Sequence, residues 1–488
     1  MKTRKFKLTI LIVVLTIVPF TANSQTKLTW ANFSSNKNDY LQDLYENDAE
    51  EIYILGYQVD DIYYSKKTAV ILKAHKTGEI IDTLKISLPS KSLNTSQIIK
   101  MAADTLLISG FASDTVTHHS AALHFYIINM DLNILAADYK QFEKNDELRN
   151  QFTAIGHNND VLVTGTIVHN DSLPWRVFAY RLSKSLDSIQ YKMFTDQPNL
   201  GTMGAEIKQI DTNIYFIHEG IQGFYYVTDS LFDIVSKQRI PKYVNMPFGI
   251  KWDSDTSFYL AGEWNDASDD DIAMFYQPNY ADTSIQFFNW WGTTDTLDLT
   301  ATYAMDYKSK DSIFIGGTSN FTINVFDELE NWCFVLQTDS LLNIRWEKFV
   351  GGDANYRAQK ILATKDGGCL IGTSMYDYQN VSEPQVDMRV FKLDQYGQLV
   401  GTNEISNIQT SEAIVYPNPG NEYLKIRIAA QHPKSVFALY SIDGKLLINK
   451  KLHGRHAEIN ASALKPGTYI YKIFNNKGLN ESGKWVKE

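Results

Sequence analysis

The sequence predicts an all-β chain: a seven-bladed β-propeller followed by a small β-sandwich. Three observations carry this reading. An apolar run ending in glycine recurs at a nearly constant interval, turn residues break the chain roughly every 8 to 12 residues, and no stretch has the length and 3.6-residue apolar period of a surface helix.

The first element is a basic head, Lys2, Arg4, Lys5 and Lys7, followed by the apolar run Leu8 to Phe20 and the small residues Thr21, Ala22, Asn23 and Ser24. This is the layout of a secretory signal peptide, read as residues 1–24 with cleavage after Ser24. The apolar run is shorter than the roughly 18 to 20 residues a membrane-crossing helix needs, and no later stretch approaches that length. The mature chain is therefore expected to pass through the general secretory machinery and not to span the membrane.

The repeat occupies residues 25–408. Its runs are Tyr53-Ile54-Leu55-Gly56, Leu107-Ile108-Ser109-Gly110, Leu162-Val163-Thr164-Gly165, the degenerate Phe216-Ile217-His218-Glu219, Tyr259-Leu260-Ala261-Gly262, Phe314-Ile315-Gly316-Gly317 and Leu370-Ile371-Gly372. Their last residues are spaced by 54, 55, 54, 43, 55 and 55. Each interval has room for a first strand, the glycine strand, a third strand such as Cys333-Phe334-Val335-Leu336, and after a tight turn a fourth, often aromatic strand such as Phe287-Phe288-Asn289-Trp290. Four short strands repeated seven times is the composition of a propeller. Leu28 to Phe33 reads as a fourth strand without a unit of its own, and is expected to close the ring against the last unit, because an open edge invites aggregation. Links between second and third strands vary, with long ones at 318–331 and 373–387. They emerge on the same face as the unit-to-unit links, and loops that vary on a rigid scaffold are where binding is expected.

The formal net charge is −10, and the four basic residues of the signal leave −14 when removed. Residues 409–488 hold 12 Lys+Arg against 6 Asp+Glu, a net of +6, so 25–408 carries −20. Such a field repels phosphate backbones and anionic membrane surfaces, which argues against nucleic acid as a partner. Cys333 and Cys369 are too few for a disulfide framework, and both sit in apolar strand-like runs as buried small hydrophobes or a single bridge.

After Ile408 the pattern changes. Pro417 and Pro419 bar a helix, Asp443-Gly444 between two apolar runs is a hairpin signal, and Asn476-Lys477-Gly478 supplies another turn, together giving a sandwich. Tyr416-Pro417-Asn418-Pro419, Leu439-Tyr440-Ser441-Ile442-Asp443-Gly444-Lys445, Leu464-Lys465-Pro466-Gly467-Thr468-Tyr469 and Gly483-Lys484-Trp485-Val486 occur in order. They resemble the successive motifs of the type A sorting domain of the type IX secretion system. The resemblance implies an Ig-like β-sandwich over 409–488, recognition by the type IX machinery, and a chain that ends up released or attached to the outer-membrane surface. It makes Tyr416, Pro417, Asn418, Pro419, Gly444, Gly467 and Lys484 the sorting-motif residues.

Catalytic signatures are missing: no nucleophile elbow, zinc-binding helix, phosphate-cradling loop or paired-cysteine metal motif occurs. His118-His119 has no third ligand at metal spacing. The acidic cluster Asp266, Asp269, Asp270 and Asp271 after Trp264 is a solvated turn or an oxygen-rich calcium loop, and calcium there is the one cofactor the sequence raises. Trp290, Trp291, Tyr376 and Tyr378 offer flat faces to a sugar ring; for Trp290 burial within a unit is expected, while Tyr376 and Tyr378 in a long link are the better ligand candidates. The expected binding residues are thus Trp264, Asp269, Asp270, Asp271, Tyr376 and Tyr378, with a glycan or protein as ligand. Asp-Ser/Thr followed by an aliphatic residue, as at Asp229 and Asp339, resembles a bacterial O-glycosylation sequon and equally suits a turn. Function is expected to be binding or adhesion outside the cell, the competing class being a polysaccharide hydrolase or lyase whose carboxylates converge from distant units. A buried carboxylate pair near the ring axis would favour the enzyme.

Overall fold

In the computed structural model, every glycine run is the second strand of an antiparallel sheet. The structure describes residues 31–488 apart from 60–65, 116–120, 144–145, 170–171, 195–203, 212–214, 220–223, 240–245, 266–269, 283, 293–297, 380–383, 401–408 and 433. Among these residues all regular structure is β, and no helix is long and apolar enough to cross a membrane.

Five separate four-stranded sheets come first, each with its strands in chain order. The first unit is Asn38–Glu46, Ile52–Val59, Thr68–Ala74 and Ile80–Ile86; the second, Lys91–Ala102, Thr105–Asp114, Ala122–Asn129 and Ile134–Gln141. The third is Asp146–Ile155, Val161–His169, Ser172–Leu182 and Ser188–Phe194. The fourth spans Gly204–Gln209 to Ile234–Arg239, and the fifth Met246–Trp252 to Phe287–Trp291. The sixth (Asp298–Ser309, Ser312–Ser319, Trp332–Thr338, Ile344–Gly351) and seventh (Asn355–Ala363, Cys369–Tyr376, Val386–Leu393) are joined by one parallel bridge between Tyr303 and Lys360. The fourth strand of the seventh unit is composite. Ala31–Phe33 pairs with Val390 to Met388, and Leu399–Val400 pairs with Leu393 and Lys392.

The repeated glycine has a local cause. A Cβ on Gly56, Gly110 or Gly317 would lie 2.2, 2.1 or 2.1 Å from the carbonyl oxygen of Tyr40, Asn94 or Leu299 on the neighbouring first strand. In each case the first strand is bulged at that point, at Leu41/Asp43, Thr95/Gln97 and Thr300/Met305. A bulge pushes its carbonyl toward the partner strand, and only glycine leaves room for it.

Apolar faces then pair unit to unit. Leu106, Ile108 and Tyr126 of the second unit pack on Tyr53, Leu55 and Ile71 of the first, and the closing contact sets Leu41, Leu44 and Ile54 against Leu370, Met388 and Val390 of the seventh. Side-chain acceptors staple successive first strands. Asp43 Oδ2 accepts the Ile98 N–H at 3.0 Å, Gln97 accepts the Thr153 N–H, and Asp306 Oδ2 accepts the Ala363 N–H at 3.0 Å.

The turn from third to fourth strand places Leu132, Leu186, Phe232 and Leu342 at φ of 59°, 70°, 62° and 64°, and all four side chains are buried. Left-handed backbone costs a non-glycine residue about 1–2 kcal/mol, less than the roughly 1.5–3 kcal/mol gained by burying a Leu or Phe side chain, so burial wins. Asp339 Oδ1 accepts the N–H groups of Leu341 and Asn343, and Asp229 Oδ1 those of Leu231 and Asp233, so both aspartates have turn work of their own.

Two expectations meet the structure directly. Trp290 was expected in the interior, but it is 50% exposed while Trp291 is fully buried, because the strand Phe287–Trp291 alternates and the apolar neighbours lie on the Trp291 side. Cys333 and Cys369 are both buried and free, their thiols pushed up to about 12 by burial.

The C-terminal residues form two further sheets. One orders Ala413–Tyr416, Tyr423–Ile428 and His456–Asn460; the other orders Leu446–His453, Lys434–Ser441, Gly467–Phe474 and Asn480–Lys487. Leu424, Ile426 and Ile428 of the first meet Phe437, Leu439, Ile473 and Trp485 of the second in one core. The hairpin at Asp443-Gly444 is where the sequence placed it, with Gly444 at φ 85°.

Candidate functional site

A groove of about 520 Å³ opens beside the third unit, lined by Phe142, Glu143, Asp146, Arg176, Tyr180 and Tyr191, with Gln141, Ile167 and Met193 completing it. Its position follows from strand alternation. Tyr180 and Tyr191 are directly paired across adjacent strands, and Arg176 and Tyr180 sit at positions i and i+4 of one strand face. Residues 141–146 are the link from the second unit to the third, and Arg176 lies near the second-to-third strand link, so the groove opens on the link face. The Tyr180 and Tyr191 rings meet edge-on at 5.1 Å, and Phe142 stands 6.2 Å from Tyr191 and 5.1 Å from Phe178 beneath.

Electrostatically the groove is mixed. Burial pushes the Tyr191 phenol up to about 12, helped by Asp146, Tyr180 and Glu143 and opposed by Arg176. Asp146 is buried and its Oδ2 accepts the Glu143 N–H at 3.1 Å, which fixes the link. Tyr180 Oη shares a hydrogen bond of 2.7 Å with Ser188 Oγ. The result is a cluster of mutually tilted aromatic rings with acceptors and one guanidinium around it, able to hold an apolar face and hydrogen-bond its edge.

The residues singled out from sequence fall elsewhere on the same face. Tyr376 and Tyr378 come together with ring centroids 6.2 Å apart, and Phe326 packs edge-on to Tyr376 at 5.3 Å. Gln379 Nε2 donates to Tyr378 Oη at 3.1 Å and to Glu330 Oε1 at 3.3 Å. Burial pushes the Glu330 carboxyl up to about 7. Trp264 and Asp270–Asp271, expected in a link, are strand residues by backbone: Trp264 is the register partner of Asp271, and Asn265 that of Asp270, at the ends of Phe258–Asn265 and Asp270–Gln277. Asp266, Asp269, His118 and His119 lie outside the described residues. Among the described residues no three His, Cys, Asp or Glu are grouped closely enough to hold a metal ion. The fifth-unit and seventh-unit candidates therefore belong to two separate places, and neither includes the groove.

A second polar cluster brings together side chains from several units. Asp43 Oδ1 lies 3.0 Å from Lys360 Nζ, Lys360 stands 4.6 Å over the Tyr303 ring, and Tyr303 Oη donates to the Ser96 carbonyl at 3.1 Å. Tyr303 also meets Phe152 at 6.2 Å, so one side chain from the sixth unit reaches the second and third. Asp43 and Glu206 are both buried and both act on Tyr303, but Asp43 is engaged by Lys360 and by the N–H groups of Leu44 and Ile98. Its carboxylate is a structural staple.

Burial holds the Glu206 carboxyl well above the ordinary carboxylate range, opposed by Lys208, Lys251 and Lys360. The folded state keeps this proton at pH values where the unfolded chain, with a pKa of about 4.3, has lost it. Stability from this site is thus full below the unfolded pKa and falls as pH rises toward the folded one. Glu206→Gln should be more stable than the native protein at pH 8, with the difference gone by pH 4, as read from urea midpoints across pH.

In the C-terminal module the sorting-motif residues latch its two ends. Trp485 Nε1 donates to the Pro417 carbonyl at 2.9 Å, Asn418 Nδ2 to the Lys484 carbonyl at 2.9 Å, and Asn418 Oδ1 accepts the Val486 N–H at 2.9 Å. Tyr416 is buried against the body with its ring 6.0 Å from Trp332, and Gly444 and Gly467 hold positive φ at strand ends.

Fold and site together define an all-β chain made of small antiparallel sheets, ending in a separate two-sheet module. That module has a family: residues 414–488 match the secretion system C-terminal sorting domain. This tail indicates export through type IX secretion and a cell-surface or secreted location. No curated protein matches the chain. Among solved structures, a protein of unknown function from Bacteroides caccae is 12% identical, covering 64% of this chain and 93% of its own, at a TM-score of 0.35. YCF48 from Cyanidioschyzon merolae is 8% identical over 74% of this chain and 98% of its own, at 0.40. The extracellular domain of a hybrid two-component system from B. thetaiotaomicron is 11% identical over 92% of this chain and 67% of its own, at 0.32. Scores this low leave the architecture to be argued from strand pairing and packing.

Proposed function

We propose that the chain is an exported seven-bladed β-propeller with an Ig-like sorting tail, and that the body binds a glycan outside the cell without transforming it. The observation that carries this reading is the Tyr180–Tyr191–Phe142 wall with Arg176, Glu143 and Asp146 at its rim, on the face where the links emerge. Sugar rings present an apolar face that suits an exposed aromatic ring and hydroxyls that suit charged rim groups. Packing in sequence supports the propeller: each unit packs on the next, and the seventh on the first.

The test is a glycan array probed with the full-length protein, with calcium and with a chelator. A specific hit is expected, and Tyr191→Ala should weaken it about tenfold or more, since truncating one aromatic anchor costs ~2 kcal/mol. Calcium dependence would bring in the acidic residues Asp269 to Asp271. A hit untouched by Tyr191→Ala but lost in Tyr378→Ala would move the site to the seventh unit. Silence on the array, followed by turnover of a soluble polysaccharide, would replace binding with the hydrolase or lyase reading.

A further inference from the structure

We propose that the sixth unit carries a guanidinium socket, that its resident ligand is Arg427 of the C-terminal module, and that occupancy of this socket docks the module on the body.

The socket is built from the first, second and fourth strands of the sixth unit and one residue of the fifth. Arg427 Nη1 donates to Asp298 Oδ2 and to Ser319 Oγ, each at 2.7 Å. Its guanidinium plane sits 4.3 Å from the Trp291 ring and 5.3 Å from the Phe349 ring. Trp291 is itself stacked on Phe334 at 4.2 Å, which fixes the ring from behind. Arg427, Asp298, Ser319, Trp291 and Phe349 are all 0% exposed. A planar cation over an aromatic face with a carboxylate and a hydroxyl at its edge is the arrangement that recognises guanidinium; a lysine ammonium lacks the plane and the fork.

A second arginine strengthens the assignment. Arg455 Nη2 donates to Glu347 Oε2 at 2.8 Å and stands 5.3 Å from the same Trp291 ring, while Glu347 also accepts the Ala430 N–H at 2.9 Å. Lys348 reaches Glu412 at 2.7 Å in the reverse sense. Charge complementarity runs the same way through the whole chain, a strongly acidic body against a basic tail. Arg427 itself is misplaced for any other purpose. Leu424, Ile426 and Ile428 point into the module's own core, so Arg427 projects from the opposite face, where a free module would leave it in water.

The experiment uses the full chain. Arg427→Ala should lower amide protection in Ala413–Tyr416 and Tyr423–Ile428 by about two to three orders of magnitude, the scale for breaking one buried ion pair. Millimolar guanidinium should restore protection and melting temperature in a saturable way, whereas sodium chloride or methylammonium at equal concentration should not. Arg427→Ala with Asp298→Asn should show no rescue. Arg427→Lys keeps the charge and most of the volume, and serves if the alanine variant does not fold; it should lose protection almost as fully as Arg427→Met. Native-like protection in Arg427→Lys, absence of guanidinium rescue, or equal rescue in the double variant would each overturn the socket.

Discussion

Removing residues 414–488 should abolish export of the chain and leave it in the cell fractions. The expectation rests on the match of this segment to the secretion system sorting domain. Because Ile414 and Tyr416 also fill the body core, loss of export alone would be ambiguous between missing address and failed folding. A carrier protein bearing residues 409–488 separates the two, since it should reach the surface or medium. Immunoblots of medium, surface and envelope fractions make the measurement, and unchanged export of the truncated chain would refute the sorting assignment.

The largest expected effect on stability belongs to Asp43→Ala. The substitution leaves the largely buried Lys360 ammonium without its carboxylate and strips the N–H groups of Leu44 and Ile98 of their acceptor. Deleting one partner of a buried pair costs about 3–5 kcal/mol, far more than the pair's net worth when both are replaced. Asp43→Asn keeps an acceptor for the backbone and should lose less. Urea unfolding at pH 7 checks both, and an alanine variant within 1 kcal/mol of native, about the median worth of an exposed pair, would show the staple to be solvated.

How far these features could be read in the sequence depends on whether one position dictates them. The unit boundaries were legible because a bulged first strand forbids a Cβ on Gly56, Gly110 and Gly317, so the constraint is written as one residue type at one spacing. The Asp443-Gly444 hairpin was legible for the same reason, with its need for positive φ. The composite last sheet was half legible: Leu28 to Phe33 read as an unclaimed fourth strand, while Leu399–Val400 is too short to leave a pattern.

The groove was not legible. Tyr180, Tyr191, Phe142 and Arg176 each look like ordinary strand or link residues, and only strand pairing plus the packing of the third unit on the second brings them to one wall. Trp290 and Trp291 show the limit in miniature, since two adjacent tryptophans on a strand must face opposite ways and composition does not say which is inside. The socket left no trace either: Lys425 and Arg427 alternate with Leu424, Ile426 and Ile428 as on any strand with one wet face, and nothing in the strand marks Arg427 as the covered one. Trp264, Asp270 and Asp271, read in the sequence as part of a link, belong to the strands Phe258–Asn265 and Asp270–Gln277, two units away from Tyr376 and Tyr378.

The composite fourth strand of the seventh unit has a consequence for the order in which the chain can become native. Ala31–Phe33 finds its partner some 350 residues downstream, at Met388 to Val390. The first six units can gather locally as they emerge, but the closing pairing carries nearly the whole chain as its loop and must come last. A chain halted before residue 393 would therefore hold a stack of sheets with its two end faces still wet, open to proteases and to the end faces of other unfinished chains.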